Sequence, residues 1–201
     1  MPNPTNSMNA TIPKVRTFIA IELPDQTRSD IAGVQKDLAS AGLKLRWVKP
    51  QNIHLTLTFL GDVDRHLITA ICDSMNTVTR QHPSFELQPR GLGCFPGLKN
   101  PRVFWVGLSG ALVVLKALQT DVENALTPLG FNPEKRPFRG HVTIGRIKNR
   151  LNSRKLADVL RSHSEFSSDI FTVQQVTLFG SELQPTGPVY TRLCAAPLES
   201  S

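Results

Sequence analysis

Pro50-Gln51-Asn52-Ile53-His54-Leu55-Thr56-Leu57 and Pro137-Phe138-Arg139-Gly140-His141-Val142-Thr143-Ile144 carry one pattern twice: a proline four residues before a histidine, then His-apolar-Thr-apolar. Successive side chains of a β-strand alternate between faces, so each His shares a face with the Thr two residues on, and the apolar residues line the other face. Each segment therefore presents an imidazole beside a hydroxyl over a hydrophobic back.

Other landmarks keep nearly the same spacing. The histidines are 87 residues apart; Phe18-Ile19-Ala20-Ile21 returns as Phe104-Trp105-Val106-Gly107 at 86, and Phe85-Glu86-Leu87-Gln88 as Phe171-Thr172-Val173-Gln174 at 86. Three landmarks at nearly one offset read as an internal duplication. The first half reads as strand 17–23, helix 25–41, strand 52–60, helix 64–80 and strand 85–92; the second as strand 103–108, helix 111–129, strand 141–147, helix 153–163 and strand 170–179, then a hairpin to Tyr190-Thr191-Arg192-Leu193. Leu112, Leu115, Leu118, Val122 and Leu126 form one stripe of the third helix. The expected fold is α+β: two pseudo-symmetric β-α-β-α-β lobes, mainly antiparallel sheets facing a central groove, with helices outside. The stretch 130–140 is expected to be the crossover between lobes.

At 201 residues and 40% hydrophobic content the chain fits one bilobal domain over 15–201, preceded by a disordered amino-terminal tail over 1–14 that is rich in Asn, Thr and Pro. That tail lacks the apolar core of a signal peptide, and no apolar run reaches the roughly 18 residues needed to span a bilayer. Three cysteines, Cys72, Cys94 and Cys194, have no metal-ligand spacing, so neither a disulfide framework nor a zinc knuckle is expected and a reducing, cytoplasmic setting fits. A net charge of +7 suits an anionic partner, although many basic proteins of this size bind no nucleic acid.

Two His-Thr pairs brought face to face supply a proton acceptor, a proton donor and neutral donors for phosphate oxygens, as phosphodiester cleavage without a metal requires. A lone His-x-Thr is a weak signal and a strand threonine is ordinarily β-branched filling; the repetition is what favours chemistry at His54, Thr56, His141 and Thr143. Neither motif offers the three-ligand set of a zinc hydrolase, so no metal or cofactor is expected, and Asp62 and Asp64 read as a turn after Gly61. His66, His82 and His163 read as solvated or capping residues, and Trp47, Phe104 and Trp105 as packing. Lys44, Arg46, Lys49, Arg136, Arg139, Lys148, Arg150 and Arg154 form either an RNA-tracking cluster or a solvated rim.

With Leu45-Arg46-Trp47-Val48-Lys49-Pro50, Arg136-Pro137-Phe138, Gly91-Leu92-Gly93-Cys94-Phe95-Pro96 and Gly187-Pro188-Val189-Tyr190 as flanks, the chain from Arg16 to Leu198 resembles the two-histidine phosphoesterases, above all the bacterial and archaeal RNA 2′,3′-cyclic phosphodiesterases once called 2′-5′ RNA ligases. The resemblance implies hydrolysis of an RNA terminal 2′,3′-cyclic phosphate to a 2′-phosphate, with reversible ATP-independent 2′-5′ ligation in some members. It implies His54 as proton donor to the departing 3′-oxygen, His141 as the acceptor that activates water, and a basic residue at Arg146 meeting phosphate. Arg146 lies five residues after His141, an odd number, so a regular strand turns it away and a bulge is needed to return it. Tyr190 is the aromatic candidate beside the groove. A monomer acting on RNA without a membrane is expected. A sibling phosphodiesterase for small cyclic nucleotides or 2′-5′ oligonucleotides, and a non-catalytic RNA-binding module, are the alternatives.

Overall fold

A computed structural model describes residues 13–147 and 153–199. Most of the expected tail, together with Lys148 and Arg150, lies outside the described residues, and Lys14 already opens the first strand.

The chain runs β1 (Lys14–Glu22), α1 (Asp25–Ser40), β2 (Arg46–Trp47), β3 (His54–Asp64), α2 (Ile68–Thr79), β4 (Phe85–Phe95), β5 (Val103–Gly110), α3 (Leu112–Leu126), β6 (Val142–Arg146), α4 (Ser153–Ser162), β7 (Phe171–Val173), β8 (Gln175–Gln184) and β9 (Gly187–Pro197). Helix α1 buries Ile31, Val34 and Leu38. It ends where Gly42 adopts φ 81°, a left-handed conformation that costs glycine little, so that Gly42 and Leu43 donate to the carbonyls of Ala39 and Leu38 at 2.8 and 3.1 Å. Helix α3 buries the expected stripe from Leu115 to Leu126, but Leu112, in its first turn, is 43% exposed.

The strands form one antiparallel sheet in the order β7-β4-β5-β6-β3-β1-β8-β9, with β2 on β6, curled into a half-barrel. Its two lobes, β3-β1-β8-β9 and β6-β5-β4-β7, meet through the single pair Leu55–Val142. The lobes are not the two sequence halves. The duplication boundary falls in the short connection 96–102, and strands joined so briefly pair as a hairpin. Strand β4 thus joins the second lobe, and β8 returns to pair with β1 in the first. The last strand expected over 170–179 is broken at Gln174 for the same reason: β7 pairs with β4 and β8 with β1, on different lobes. The stretch 130–140 is not the interlobe crossover; it joins the end of α3 to β6 within the second half.

Leu55, Leu57, Val142 and Ile144 are buried behind the two motifs, each worth about 1.5–3 kcal/mol as an apolar side chain withdrawn from water. Helix α1 is keyed to this back by Gln35, whose Nε2 donates to the carbonyls of Val48 and Ile144, both at 2.8 Å. Contrary to the reading of the cysteines as unpaired, Cys72 on α2 and Cys194 on β9 form a disulfide, with Cα atoms 6.3 Å apart; Cys94 is free. The partners are 122 residues apart and meet only because α2 packs beside β9, which spacing does not reveal.

Candidate active site

The antiparallel register through Leu55–Val142 sets His54 across from Thr143 and His141 across from Thr56, so the four side chains interleave on one face at the seam between lobes. They line a groove of about 450 Å³ that also takes in Arg146 and Tyr190. Both rings are oriented alike: Nδ1 of His54 donates to the carbonyl of Asn52 at 2.8 Å, and Nδ1 of His141 to the carbonyl of Arg139 at 2.7 Å. A carbonyl only accepts, so Nδ1 carries a hydrogen in each ring and Nε2 is the nitrogen left for another partner.

The two rings differ in their surroundings. His54 stacks on Phe18 at 4.8 Å between ring centroids and 25° between planes, and the Tyr190 ring stands edge-on at 5.5 Å. Burial there pushes the His54 pKa down to about 4, against the upward pull of its bond to Asn52. His141 meets ring edges instead, Phe95 at 5.0 Å and Trp105 at 6.4 Å. Trp105 lies over Gly93, where a Cβ would come within 2.2 Å of the indole.

Arg146 returns to the groove because β6 bulges. Trp105 pairs with Thr143 and Phe104 with Gly145, leaving Ile144 as the extra residue, so parity changes and Arg146 rejoins the face of Thr143. Strand β3 does the same: Ala20 pairs with Thr56 and Ile19 with Thr58, Leu57 is extra, and Phe59 swings into the groove, 61% exposed. Phe59 and Arg146 stand at the offset that links the histidines, so the duplication placed a phenyl ring in one lobe where it placed a guanidinium in the other. That offset was the available signal for Phe59. Arg16, Trp47 and Asn52 also line the groove; sequence reasoning read Trp47 as packing and did not single out the other two as groove residues.

Tyr190 faces the groove from β9. Burial raises its pKa, and the nearby charges of Arg146 and Arg16 pull it back, so its hydroxyl stays a hydrogen-bond donor at neutral pH. Of the basic residues near the motifs, Arg46 and Arg146 line the groove, and among the described residues no carboxylate does. Among the described residues no cluster of three or more His, Cys, Asp or Glu side chains is arranged to hold a metal ion. His82 bonds Asp121 at 3.0 Å and His163 bonds the Val159 carbonyl at 3.0 Å, both outside the groove. No described helix is long and apolar enough to cross a membrane.

Comparison with known proteins agrees with this geometry. The sequence profile described as LigT like Phosphoesterase matches twice, over residues 21–105 and 109–190, one match for each sequence half. The chain is 34% identical over 178 residues to the RNA 2′,3′-cyclic phosphodiesterase of Methanothermobacter thermautotrophicus, covering 89% of this chain and 96% of that one. It is 33% identical over 186 residues to the protein of that name in Thermotoga maritima, covering 92% and 96%. Among solved structures, a Thermus thermophilus protein superposes with a TM-score of 0.76 at 25% identity, covering 92% of this chain and 99% of that one. Escherichia coli LigT in apo form gives 0.72 at 23% identity, covering 92% and 98%. A groove built from two copies of one motif, a profile that matches once per copy, and relatives aligned along nearly their whole length place this chain in the LigT-like phosphoesterase family.

Proposed function

We propose that this chain hydrolyses the terminal 2′,3′-cyclic phosphate of RNA to a 2′-phosphomonoester by acid/base catalysis between His54 and His141. The observation that carries the reading is the paired arrangement of two imidazoles, each held through Nδ1 by a main-chain carbonyl and each beside a threonine of the other motif. The relatives named RNA 2′,3′-cyclic phosphodiesterase support the substrate.

In this mechanism Thr56, Thr143 and Arg146 hold the nonbridging oxygens of the cyclic phosphate, where charge builds in the transition state. Nε2 of His141 takes a proton from water as the water oxygen bonds to phosphorus. The P–O3′ bond breaks opposite it, and Nε2 of His54 gives its proton to O3′, leaving the phosphate on O2′. A 5′-hydroxyl in place of water gives a 2′-5′ linkage by the same proton transfers, which is the ligation that the resemblance implies; attack of O3′ on that linkage reverses it.

The depressed pKa of His54 bears directly on its role as acid. Desolvation keeps it neutral in the empty groove, whereas an anion within about 4–6 Å favours imidazolium and raises a histidine pKa by one to three units. The substrate thus raises the proton affinity of its own acid on arrival. Product analysis tests the assignment: phosphorus NMR of the hydrolysed end is expected to show a 2′-phosphate. A 3′-phosphate means that the donor faces O2′, and the roles given to the two histidines fail.

A further inference from the structure

One cyclic phosphodiester brings one negative charge, yet three guanidinia line the groove: Arg16, Arg46 and Arg146. Among the described residues none of the three has a carboxylate within ion-pair distance and no Asp or Glu lines the groove itself; Glu22, in the adjoining cavity that shares His54 and Tyr190, is engaged by Arg192 at 2.6 Å and Thr177 at 3.0 Å. Arg46 and Arg146 are direct cross-strand partners on β2 and β6. Like charges so opposed are destabilising unless an anion lies between or beside them. From the other lobe, Arg16, Ser181 and Tyr190 form one row across β1, β8 and β9. The Tyr190 hydroxyl lies within electrostatic reach of both Arg16 and Arg146, so the three cations gather at one end of the groove rather than spreading along it.

We infer that Arg16 and Arg46, with the Tyr190 hydroxyl, form a second phosphate subsite that takes the phosphate on the 5′ side of the terminal nucleotide, so that the groove selects cyclic phosphate ends carried on an oligonucleotide. The inference rests on the proposed cyclic phosphodiesterase reading and names its substrate class. Opposed Cα atoms in a sheet are about 4.5–5.5 Å apart. Arg146 therefore serves the scissile phosphate while Arg46 beside it reaches the next phosphate along the strand. Guanidinium suits this task because its planar fork engages phosphate oxygens in pairs. Phe59, facing the same space from β3, leaves the opposite wall without charge.

The test compares three substrates at one salt concentration: adenosine 2′,3′-cyclic phosphate with a free 5′-hydroxyl, the same molecule with a 5′-phosphate, and the dinucleotide ApA ending in 2′,3′-cyclic phosphate. The latter two are expected to show kcat/KM ten- to a hundredfold above the first, the effect of one or two hydrogen bonds to a charged group. The advantage should shrink between 50 and 200 mM KCl. In the Arg16→Gln/Arg46→Gln double variant the ratio should fall below about threefold, while Arg16→Lys/Arg46→Lys keeps part of it. Both side chains are exposed, and thermal unfolding of each variant checks the fold. Equal kcat/KM for all three substrates, or a preference that survives in the glutamine variant, overturns the subsite. Preference for the dinucleotide without preference for the 5′-phosphorylated monomer assigns the effect to the second nucleoside and overturns it as well. The reverse pattern overturns selection for an oligonucleotide. No turnover of any of the three by the wild type overturns the parent reading, and is distinct from all of these.

Discussion

Replacing His54 by glutamine should flatten the acid limb of this protein's stability curve. The folded state holds His54 near pKa 4 because Phe18 and Tyr190 exclude water from the imidazolium, whereas an unfolded histidine titrates near 6.5. The folded pKa is the lower one, so between these values the unfolded chain binds more protons and stability rises with pH. The contribution is complete above pH 6.5 and is lost as pH falls toward 4. At about 1.36 kcal/mol per unit, a gap of roughly 2.5 units amounts to about 3 kcal/mol, of which about 2 is gone by pH 5. Urea unfolding at pH 7.5, 6, 5 and 4.5, followed by tryptophan fluorescence, measures it. Every other titrating group is common to both proteins, so the difference between the two curves isolates His54. The wild type should lose about 2 kcal/mol more than His54→Gln between pH 7.5 and 5. Inorganic phosphate should narrow that gap, since an anion in the groove stabilises the imidazolium. Parallel curves for the two proteins would show that His54 is solvated, and the account of its depressed pKa would fall.

His54→Ala and His141→Ala should each lower single-turnover hydrolysis about 10²-fold or more with the fold intact, and the double variant should fall well short of the product because the pair acts as a unit; a near-wild-type rate in either single variant excludes the two-imidazole mechanism. Arg146→Ala should cost roughly 1.5–3 kcal/mol in kcat/KM, the range for a hydrogen bond to a charged group; unchanged kinetics would mean that the bulge at Ile144 does not bring the guanidinium to phosphate. Prolonged dialysis against a strong chelator should leave the rate unaltered, whereas loss restored by zinc or manganese would transfer the chemistry to a metal.

The parts of this molecule that were legible in the sequence are those fixed by short periods. Alternation within His54-Leu55-Thr56-Leu57 and His141-Val142-Thr143-Ile144 gave each motif its groove face and buried back, as the burial of Leu55, Leu57, Val142 and Ile144 bears out. The 3.6-residue stripe from Leu115 to Leu126 gave α3 its buried side. What remained hidden depends on pairings between distant segments. Local propensity makes β4 a strand without saying that its partners are β5 and β7 rather than the strands of its own half. The Cys72–Cys194 bridge depends on the packing of α2 beside β9. Arg146 lies between these cases: parity showed that a bulge was required, and only the ladder between β5 and β6 located it at Ile144.

The exchange of third strands is also what makes the groove asymmetric. Because β8 and β9 fold back onto the first lobe, His54 is bordered by Phe18 from the first half of the chain and by Phe179 and Tyr190 from the second, at centroid distances of 4.8, 6.4 and 5.5 Å. His141 receives Phe95 and Trp105 edge-on, and among the described residues no ring stacks upon it. In the proposed mechanism the covered ring is the one whose charge a phosphate stabilises, and Arg146 stands on one lobe where the other has Phe59, so one wall of the groove is charged and the other apolar. Divergence at the residues three past each threonine, together with the rings around His54, gives a two-fold pair of His-Thr motifs two unlike surroundings.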